Sequence, residues 1–333
     1  MYKKILDKIR RRNLLHGAMI ELTYTCNLDC VFCYNQKQMV GKPLHLDQYL
    51  SLLQDLAQMQ VLFLSLTGGE PLLHPFFFEI AGAARQLGFA LRIKSNGLLI
   101  RGKLARRLKN EVNPLEVELS LHGAVAESHD RQTGMAGSFS RLLENVREME
   151  KLDLRPSFVS TLTSWNEKEI AEMFSLADRL GVGLRFQGPV GPRGAAAGGG
   201  DWQNVALQPS SAAWEKVEQI CSCREEKSCE APYQAECSNE DLVMPHTNRA
   251  WCGAGSQEIL VDPFGSVFPC LHLRWPAGNL HEHPIGDIWQ RGKGDAFIRA
   301  RSLSRETARK MKGKVPEQLG APLFCPGIDQ QRV

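Results

Sequence analysis

Three cysteines near the beginning of the chain have the spacing of a metal-binding segment. Cys26, Cys30 and Cys33 occur in TYTCNLDCVFCYN and form a C-x3-C-x2-C pattern. Cysteine thiolates hold iron–sulfur clusters, and a [4Fe–4S] cluster takes four such ligands. Three clustered thiolates would therefore leave one iron open to a small molecule. A zinc site is the alternative, but structural zinc takes four ligands in paired spacings, so this spacing favours an iron–sulfur cluster.

The other cysteines form a second group near the end of the chain. Of ten cysteines, seven lie from Cys221 to Cys325, and none lies from position 34 to 220. Disulfides are rare in reducing compartments, where clustered cysteines more often bind metal. The distribution predicts two metal-binding regions separated by a scaffold.

The composition is that of an ordinary globular chain. The 333 residues are 43% hydrophobic and 23% charged, and the net charge of +3 is too small to indicate a nucleic-acid partner. Residues 1–17 have the pattern of a short basic helix and lack the apolar core of a secretory signal. No apolar run approaches the ~20 residues of a membrane helix. We therefore expect a cytoplasmic protein without a membrane span.

The elements that must position the first cysteine group follow a repeating pattern. Strand-like segments are predicted at 19–23, 62–66, 91–94, 117–121, 157–162 and 183–187, and helical segments at 46–59, 76–87, 102–109, 138–151 and 167–180. Repeated β–α units predict a parallel sheet, and six units predict an α/β fold with a partial (β/α)6 TIM-like barrel. Chemistry in such folds gathers at the carboxyl ends of the strands.

The pattern changes at the Gly/Ala/Pro-rich stretch 188–202, which is typical of a linker. A hairpin is predicted at 258–269, with DPFG as its turn. We expect an N-terminal basic helix at 1–17, the partial barrel at 18–200 and a small cysteine-rich domain at 201–333.

With these residues in place, the chain resembles the radical S-adenosylmethionine (radical SAM) superfamily. Its C-x3-C-x-aromatic-C hallmark is matched by the three cysteines with Phe32, and its GGE motif by Gly68, Gly69 and Glu70 in TGGEP. The resemblance implies a [4Fe–4S] cluster and S-adenosylmethionine as cofactors. It also implies that Gly69 and Glu70 receive the amino group of S-adenosylmethionine.

Weaker matches to the same superfamily lie at the ends of later strands. The resemblance implies cofactor contacts for Ser95 and Asn96 in KSNG, for Ser120 in LSLHG and for Arg131 in HDRQTG. It further implies reductive cleavage of S-adenosylmethionine to a 5′-deoxyadenosyl radical, which takes a hydrogen atom from the substrate. An electron donor such as a flavodoxin or a ferredoxin would then be a partner.

The second cysteine group resembles the SPASM/Twitch extension of radical SAM enzymes, which carries one or two auxiliary iron–sulfur clusters. Cys252, Gly265 and Cys270 give its opening C-x12-G-x4-C, but only Cys325 follows. We expect Cys252, Cys270 and Cys325 to share one auxiliary cluster, which one of the cysteines before the motif or a non-cysteine ligand completes. Four cysteines precede the motif, and a second cluster, a zinc ion and no metal all remain open for them: Cys221, Cys223, Cys229 and Cys237.

The class of substrate can be inferred only from the arrangement of a barrel followed by a cysteine-rich domain. Relatives with this layout mostly modify ribosomally made peptides or proteins, which makes a peptide maturase the preferred hypothesis, with a separate precursor-binding protein as a further partner. A tetrapyrrole side-chain decarboxylase is the second hypothesis, with Arg92, Arg185 and Arg193 as candidate contacts for its carboxylates. A non-catalytic iron–sulfur electron carrier or scaffold is the hypothesis from another class. The substrate could also be a small molecule, and the oligomeric state is left open.

Overall fold

Six strands and the helices between them form the first part of the molecule. The computed structural model describes residues 8–9, 12–35, 39, 41–194, 202–228, 253–291 and 295–311. The strands are β1 (Gly17–Thr23), β2 (Phe63–Gly68), β3 (Ala90–Ser95), β4 (Glu116–Ser120), β5 (Pro156–Thr161) and β6 (Gly183–Gln187). The helices are α1 (Leu46–Gln58), α2 (Phe77–Gln86), α3 (Gly102–Arg107), α4 (Ala126–Thr133), α5 (Ser138–Lys151) and α6 (Ile170–Arg179).

The second part adds helix α7 (Ser211–Ser228), strands β7 (Glu258–Val261), β8 (Ser266–Phe268) and β9 (Gly278–Asn279), and helices α8 (Ile285–Arg291) and α9 (Asp295–Met311). The strand order is β6-β5-β4-β3-β2-β1-β7-β8-β9. Strands β7 and β8 are antiparallel, which confirms the predicted hairpin. Strand β7 pairs in parallel with β1, so the hairpin extends the sheet of the barrel.

The sheet is an open, partial barrel, as predicted, because its order runs from β6 to β9 without pairing β6 to β1 in the part of the chain that the structure describes. The division of the chain at 1–17, 18–200 and 201–333 remains a prediction. Among the described helices, none combines the length and the apolar character that a bilayer crossing requires.

The two faces of the sheet differ in polarity, since alternate residues of a strand point to opposite faces. Apolar residues such as Ile20, Leu66 and Ile93 are fully buried in the main hydrophobic core, to which helices α1 and α2 contribute Leu53 and Ile80. The intervening residues are polar and are cross-strand neighbours of one another. Register pairs Glu21 with Thr67 and Lys94 with Glu118. The inner face of the barrel is therefore polar.

Candidate active site

A cavity of about 250 Å³ lies at the carboxyl ends of the barrel strands. Nine residues singled out from the sequence line it: Cys26, Cys30, Phe32, Cys33, Gly68, Gly69, Ser95, Asn96 and Ser120. They come from four strand ends, as expected for a (β/α) fold whose loops carry the site. Leu271 and His272 from the second part of the chain complete the wall.

The cysteine loop is held by backbone contacts with the end of α4. The N–H of Asp29 donates to the carbonyl of Thr133 at 3.1 Å, and the N–H of Val31 donates to the carbonyl of Gln132 at 3.0 Å. Within the loop, the N–H of Cys33 donates to the carbonyl of Cys30 at 3.2 Å. The loop backbone therefore has protein partners of its own on both sides of Cys30.

The segment after β6 braces the same loop from another side. The buried Asn204 side chain donates to the carbonyl of Gly191 at 2.7 Å and lies 3.4 Å from the carbonyl oxygens of Phe32 and Cys33. Arg193 donates to the carbonyl of Cys30 at 3.3 Å. Because this segment also lines the cavity at 188–191, it joins the wall of the cavity to the cysteine loop.

The sulfur of Cys26 has two N–H donors near it. The N–H of Leu28 lies 3.4 Å from the sulfur, and the Asn96 side-chain amide lies 3.9 Å from it while donating to Asn27 Oδ1 at 2.7 Å. Hydrogen bonds to sulfur are among the features that set the reduction potential of an iron–sulfur cluster.

The three half-buried cysteines of one loop line a cavity whose mixed wall includes the polar residues Lys94, Asn96 and Glu118, and they fit a [4Fe–4S] cluster with one open iron. Within the described residues, no three histidine, cysteine or carboxylate side chains form a site for a single metal ion. A cluster does not require that arrangement, since each thiolate binds its own iron.

The glycine pair Gly68–Gly69 packs directly against the chain that leads into the cysteine loop. The N–H of Gly69 donates to the carbonyl of Thr23 at 2.6 Å, and the N–H of Glu70 donates to the carbonyl of Thr25 at 2.9 Å. A Cβ atom at Gly69 would overlap the backbone oxygen of Thr25, and Gly68 has φ of +135°, which disfavours other residues. The motif therefore needs both glycines for close backbone approach.

Glu70 is fully buried and is not one of the residues that line the cavity. Its carboxylate accepts hydrogen bonds from the Ser95 hydroxyl at 2.9 and 3.0 Å, from the N–H of Asn96 at 2.9 Å and from the N–H of Leu72 at 3.2 Å. Burial raises the pKa of Glu70 to about 7, although these hydrogen bonds oppose the shift. The carboxylate thus fixes the KSNG turn, and its predicted contact with the cofactor amino group remains a prediction.

The comparisons with known proteins agree with this geometry. The Radical SAM superfamily profile matches residues 20–177, and the SPASM profile, an iron–sulfur cluster-binding domain, matches residues 252–312. The mycofactocin maturase MftC of Mycobacterium ulcerans is 31% identical over 286 residues, which cover 81% of this chain and 73% of that protein. The chain belongs to the radical SAM superfamily.

Another relative of this radical SAM enzyme has a different activity. The AdoMet-dependent heme synthase of Methanosarcina barkeri is 29% identical over 287 residues, covering 81% of this chain and 80% of that protein. Both similar proteins are enzymes, and this chain is one too. The hypothesis of a non-catalytic carrier is therefore set aside.

Solved structures of low sequence identity share the fold of this radical SAM enzyme. Streptococcus suis SuiB bound to S-adenosylmethionine superposes with a TM-score of 0.68 at 16% identity, covering 90% of this chain and 72% of that chain. The enzyme anSMEcpe, solved with AdoMet and a peptide, gives 0.67 at 16% identity and covers 96% and 94%. As a radical SAM enzyme with a SPASM domain, the protein uses a [4Fe–4S] cluster, S-adenosylmethionine and auxiliary iron–sulfur clusters.

The structure separates two of the predicted cofactor contacts in this radical SAM enzyme. Ser120, at the end of β4, lines the cavity. Arg131 is exposed on α4 and lies outside the lining, and its guanidinium stacks on the ring of Trp165 at 3.9 Å. The sequence around Arg131 does not indicate on which side of the helix its side chain lies.

The sequence analysis assigned no role to three residues that line the cavity, namely Lys94, Glu118 and His122. Lys94 Nζ lies 2.5 Å from Glu118 Oε2, and Arg185 lies 2.9 Å from Glu118 Oε1. Burial alone would raise the pKa of Glu118, but these two cations lower it to about 2. His122 is buried, its ring meets Phe32 edge-on at 4.5 Å, and burial lowers its pKa well below the usual range. The charged residues at alternate positions of β3 and β4 could have indicated these ion pairs.

The predicted auxiliary ligands are only partly within the described residues. Cys270 is half-buried, and the N–H of Leu273 lies 3.2 Å from its sulfur. Cys221 is half-buried and Cys223 is exposed, both on α7. Cys229, Cys237, Cys252 and Cys325 lie outside the described residues. Cys270 therefore stands next to the cavity-lining Leu271 and His272, and the ligand sets of the auxiliary clusters remain predictions.

Proposed function

We propose that this radical SAM enzyme modifies a ribosomally made peptide or protein. The observation that carries the proposal is the 31% identity to a mycofactocin maturase over 81% of this chain. The fold is also that of SuiB, which has been solved with its precursor peptide SuiA. A peptide substrate, a flavodoxin or ferredoxin as electron donor and a separate precursor-binding protein are the partners that this function calls for.

The charges on the inner face of the barrel support a substrate with few carboxylates. Two arginines considered as contacts for tetrapyrrole carboxylates already lie in ion pairs: Arg92 lies 3.1 Å from Glu116 and Arg185 lies 2.9 Å from Glu118. Arg193 donates to a backbone carbonyl of the cysteine loop. A substrate with several carboxylates would have to compete with these partners.

Tetrapyrrole side-chain decarboxylation is the second candidate. The 29% identity to an AdoMet-dependent heme synthase, over 80% of that protein, favours it. The two candidates share the same cofactor site and differ in what the rest of the cavity accepts.

In either case the residues of the site have separate tasks. We assign the cluster to Cys26, Cys30 and Cys33, and S-adenosylmethionine to the wall formed by Gly69, Asn96 and the neighbouring strand ends. Once bound, these groups supply a 5′-deoxyadenosyl radical that takes hydrogen from the substrate. The protein orients the cofactor and limits the access of water, with Leu271 and His272 forming part of the enclosure.

The test begins with anaerobic reconstitution of the full chain with iron and sulfide, followed by an iron count. Dithionite and S-adenosylmethionine are then added, and 5′-deoxyadenosine is assayed for the wild type and for a C26A/C30A/C33A variant. The proposal expects the product from the wild type only. A chain fully loaded with iron that gives no 5′-deoxyadenosine would contradict the assignment of the cofactor site.

The substrate is tested with two probes in the same assay. One is a candidate precursor peptide, chosen from the short reading frames found next to the gene, and the other is Fe-coproporphyrin III, each followed by mass spectrometry. Modification of the peptide supports the maturase proposal. Loss of carboxyl groups from the porphyrin, with the peptide unchanged, would replace it with the decarboxylase.

A further inference from the structure

A buried ion pair joins the first barrel strand to the second part of the chain. Arg274 Nη2 lies 2.7 Å from Glu21 Oε1, and the two side chains are 6% and 0% exposed. Charges taken out of water need close partners, and breaking such a pair leaves an uncompensated charge. The pair is therefore a fixed connection between β1 and the segment that follows β8.

Two tyrosines that flank the cysteine triad form hydrogen bonds with this ion pair through their hydroxyl groups. Arg274 Nη1 donates to the hydroxyl of Tyr24 at 2.9 Å, and the hydroxyl of Tyr34 donates to Glu21 Oε1 at 2.7 Å. The Tyr34 ring also lies 5.3 Å from the guanidinium. Tyr24 shortly precedes the first cysteine of the triad, and Tyr34 directly follows the last. Both ends of the cysteine loop are thus connected to one guanidinium.

The backbone of Arg274 belongs to the turn that begins at Cys270. The side-chain Nε of Arg274 donates to the carbonyl of Leu271 at 3.3 Å, and the N–H of Leu273 lies 3.2 Å from the sulfur of Cys270. Leu271 and His272 of this turn line the cavity. One side chain therefore spans from the Cys270 turn to both ends of the triad loop.

We propose that Arg274 is a positioning residue that couples the Cys270 turn to the loop of Cys26, Cys30 and Cys33. A change of ligation at Cys270 would then alter the loop that holds the radical-generating cluster. The planar guanidinium suits this task because its donors point in fixed directions, whereas a lysine ammonium is a single flexible point charge. The inference rests on the proposed roles of these four cysteines as cluster ligands.

The experiment compares variants in the anaerobically reconstituted full chain, each with Cys270 intact and with C270A. R274K keeps the charge and removes the fork. The double variant E21L/R274M replaces both charges with apolar side chains, which a buried site can tolerate without loss of the fold. R299M is the control, because Arg299 is exposed and stacks on Trp275 at 4.0 Å in the same region.

Two quantities are measured: hydrogen–deuterium exchange of the 26–34 segment, and the electron paramagnetic resonance spectrum of the reduced cluster with S-adenosylmethionine bound. We expect C270A to raise the exchange of this segment about tenfold when Arg274 is present, which corresponds to ~1.4 kcal/mol of local opening. The spectrum should change in the same variant. With R274K or E21L/R274M, adding C270A should produce no further change, while the R299M background should respond as the wild type does.

An equal effect of C270A with and without Arg274 would overturn the inference, and so would no effect in a wild-type chain that binds its iron. A failure of the proposed function looks different. There, the wild type would cleave no S-adenosylmethionine although it is loaded with iron.

Discussion

The hydroxyl of Ser95 donates to both carboxylate oxygens of Glu70, at 2.9 and 3.0 Å. Glu70 follows the glycine pair at the end of β2, and Ser95 is the last residue of β3. A single buried carboxylate therefore sets the distance between two neighbouring walls of the cavity. The glutamate of the TGGEP motif therefore helps to determine the shape of the cavity.

The first prediction concerns pH. Burial raises the pKa of Glu70 from 4.5 to about 7, so between these values the folded chain binds a proton that the unfolded chain has released. The free energy of unfolding should therefore fall as pH rises through this window, by on the order of 3 kcal/mol. E70Q should lose this dependence. Urea unfolding of the apo chain between about pH 5 and 8 measures it.

The control for this prediction is E144Q, since Glu144 is exposed on α5. It should unfold with the pH dependence of the wild type. If E70Q also kept that dependence, the titration would belong to another group.

The second prediction concerns the glycine pair. G69A places a methyl group against the backbone of Thr25, so we expect about 3 kcal/mol of destabilisation and loss of iron binding. G82A is the matched control, because a Cβ atom there would meet only the Glu111 carbonyl oxygen, at 3.9 Å. Since Gly82 lies within helix α2, that variant should be neutral or up to ~1 kcal/mol more stable. Equal stability of the two variants would show that close approach at Gly69 is not required.

The third prediction separates Ser120 from Arg131. Ser120 lines the cavity, whereas Arg131 stacks on Trp165 outside it. S120A should weaken the binding of S-adenosylmethionine to the reconstituted protein about tenfold, the effect of one hydrogen bond of ~1.4 kcal/mol. R131A should stay within about twofold of the wild type. Equilibrium dialysis gives both dissociation constants, and the opposite order would restore Arg131 as the cofactor contact.

The fourth prediction concerns Glu118. Burial alone would raise its pKa, but Lys94 and Arg185 lower it to about 2, so its contribution to stability is present above pH 4.5 and is lost as pH falls through about 2. E118Q removes the counter-charge of Lys94 and leaves Arg185 with only the more distant Glu116, at 3.8 Å. It should lower the free energy of unfolding by about 2 kcal/mol, after allowance for the partial exposure of Lys94.

E116Q is the comparison variant, because the Glu116–Arg92 pair is more open, with side chains 23% and 27% exposed. It should cost less than about 1 kcal/mol. Denaturant unfolding at neutral pH ranks the two variants, and a larger loss for E116Q would contradict the assigned order.

The barrel could be predicted because each of its units is a local pattern. The sixth strand begins and ends as predicted at 183–187, and α5 begins and ends as predicted at 138–151. Helix α4 was not predicted, since AESHDRQT has no apolar stripe and buries polar residues such as His129 and Gln132 instead. The pairing of β7 with β1 was not predicted either, because a hairpin pattern does not indicate which distant strand it joins.

The parts of the site that depend on the spacing of residues in the sequence could be predicted. The parts that depend on the direction of a side chain could not. The cysteine triad and the glycine pair are fixed by short spacings, and the structure brings them to one cavity. The directions of Glu70 and Arg131 depend on partners that the sequence does not place, namely Ser95 and Trp165.

The continuous sheet from β1 to β7 bears on how this protein could be divided or recombined. Cutting the chain near position 200 would strip β7 from the edge of β1, leaving unpaired backbone groups that favour aggregation. It would also leave Glu21 buried without Arg274. A chimaera that exchanges the C-terminal portion between relatives should therefore keep the residues at positions 21 and 274 matched, because modularity in this enzyme ends at that pair.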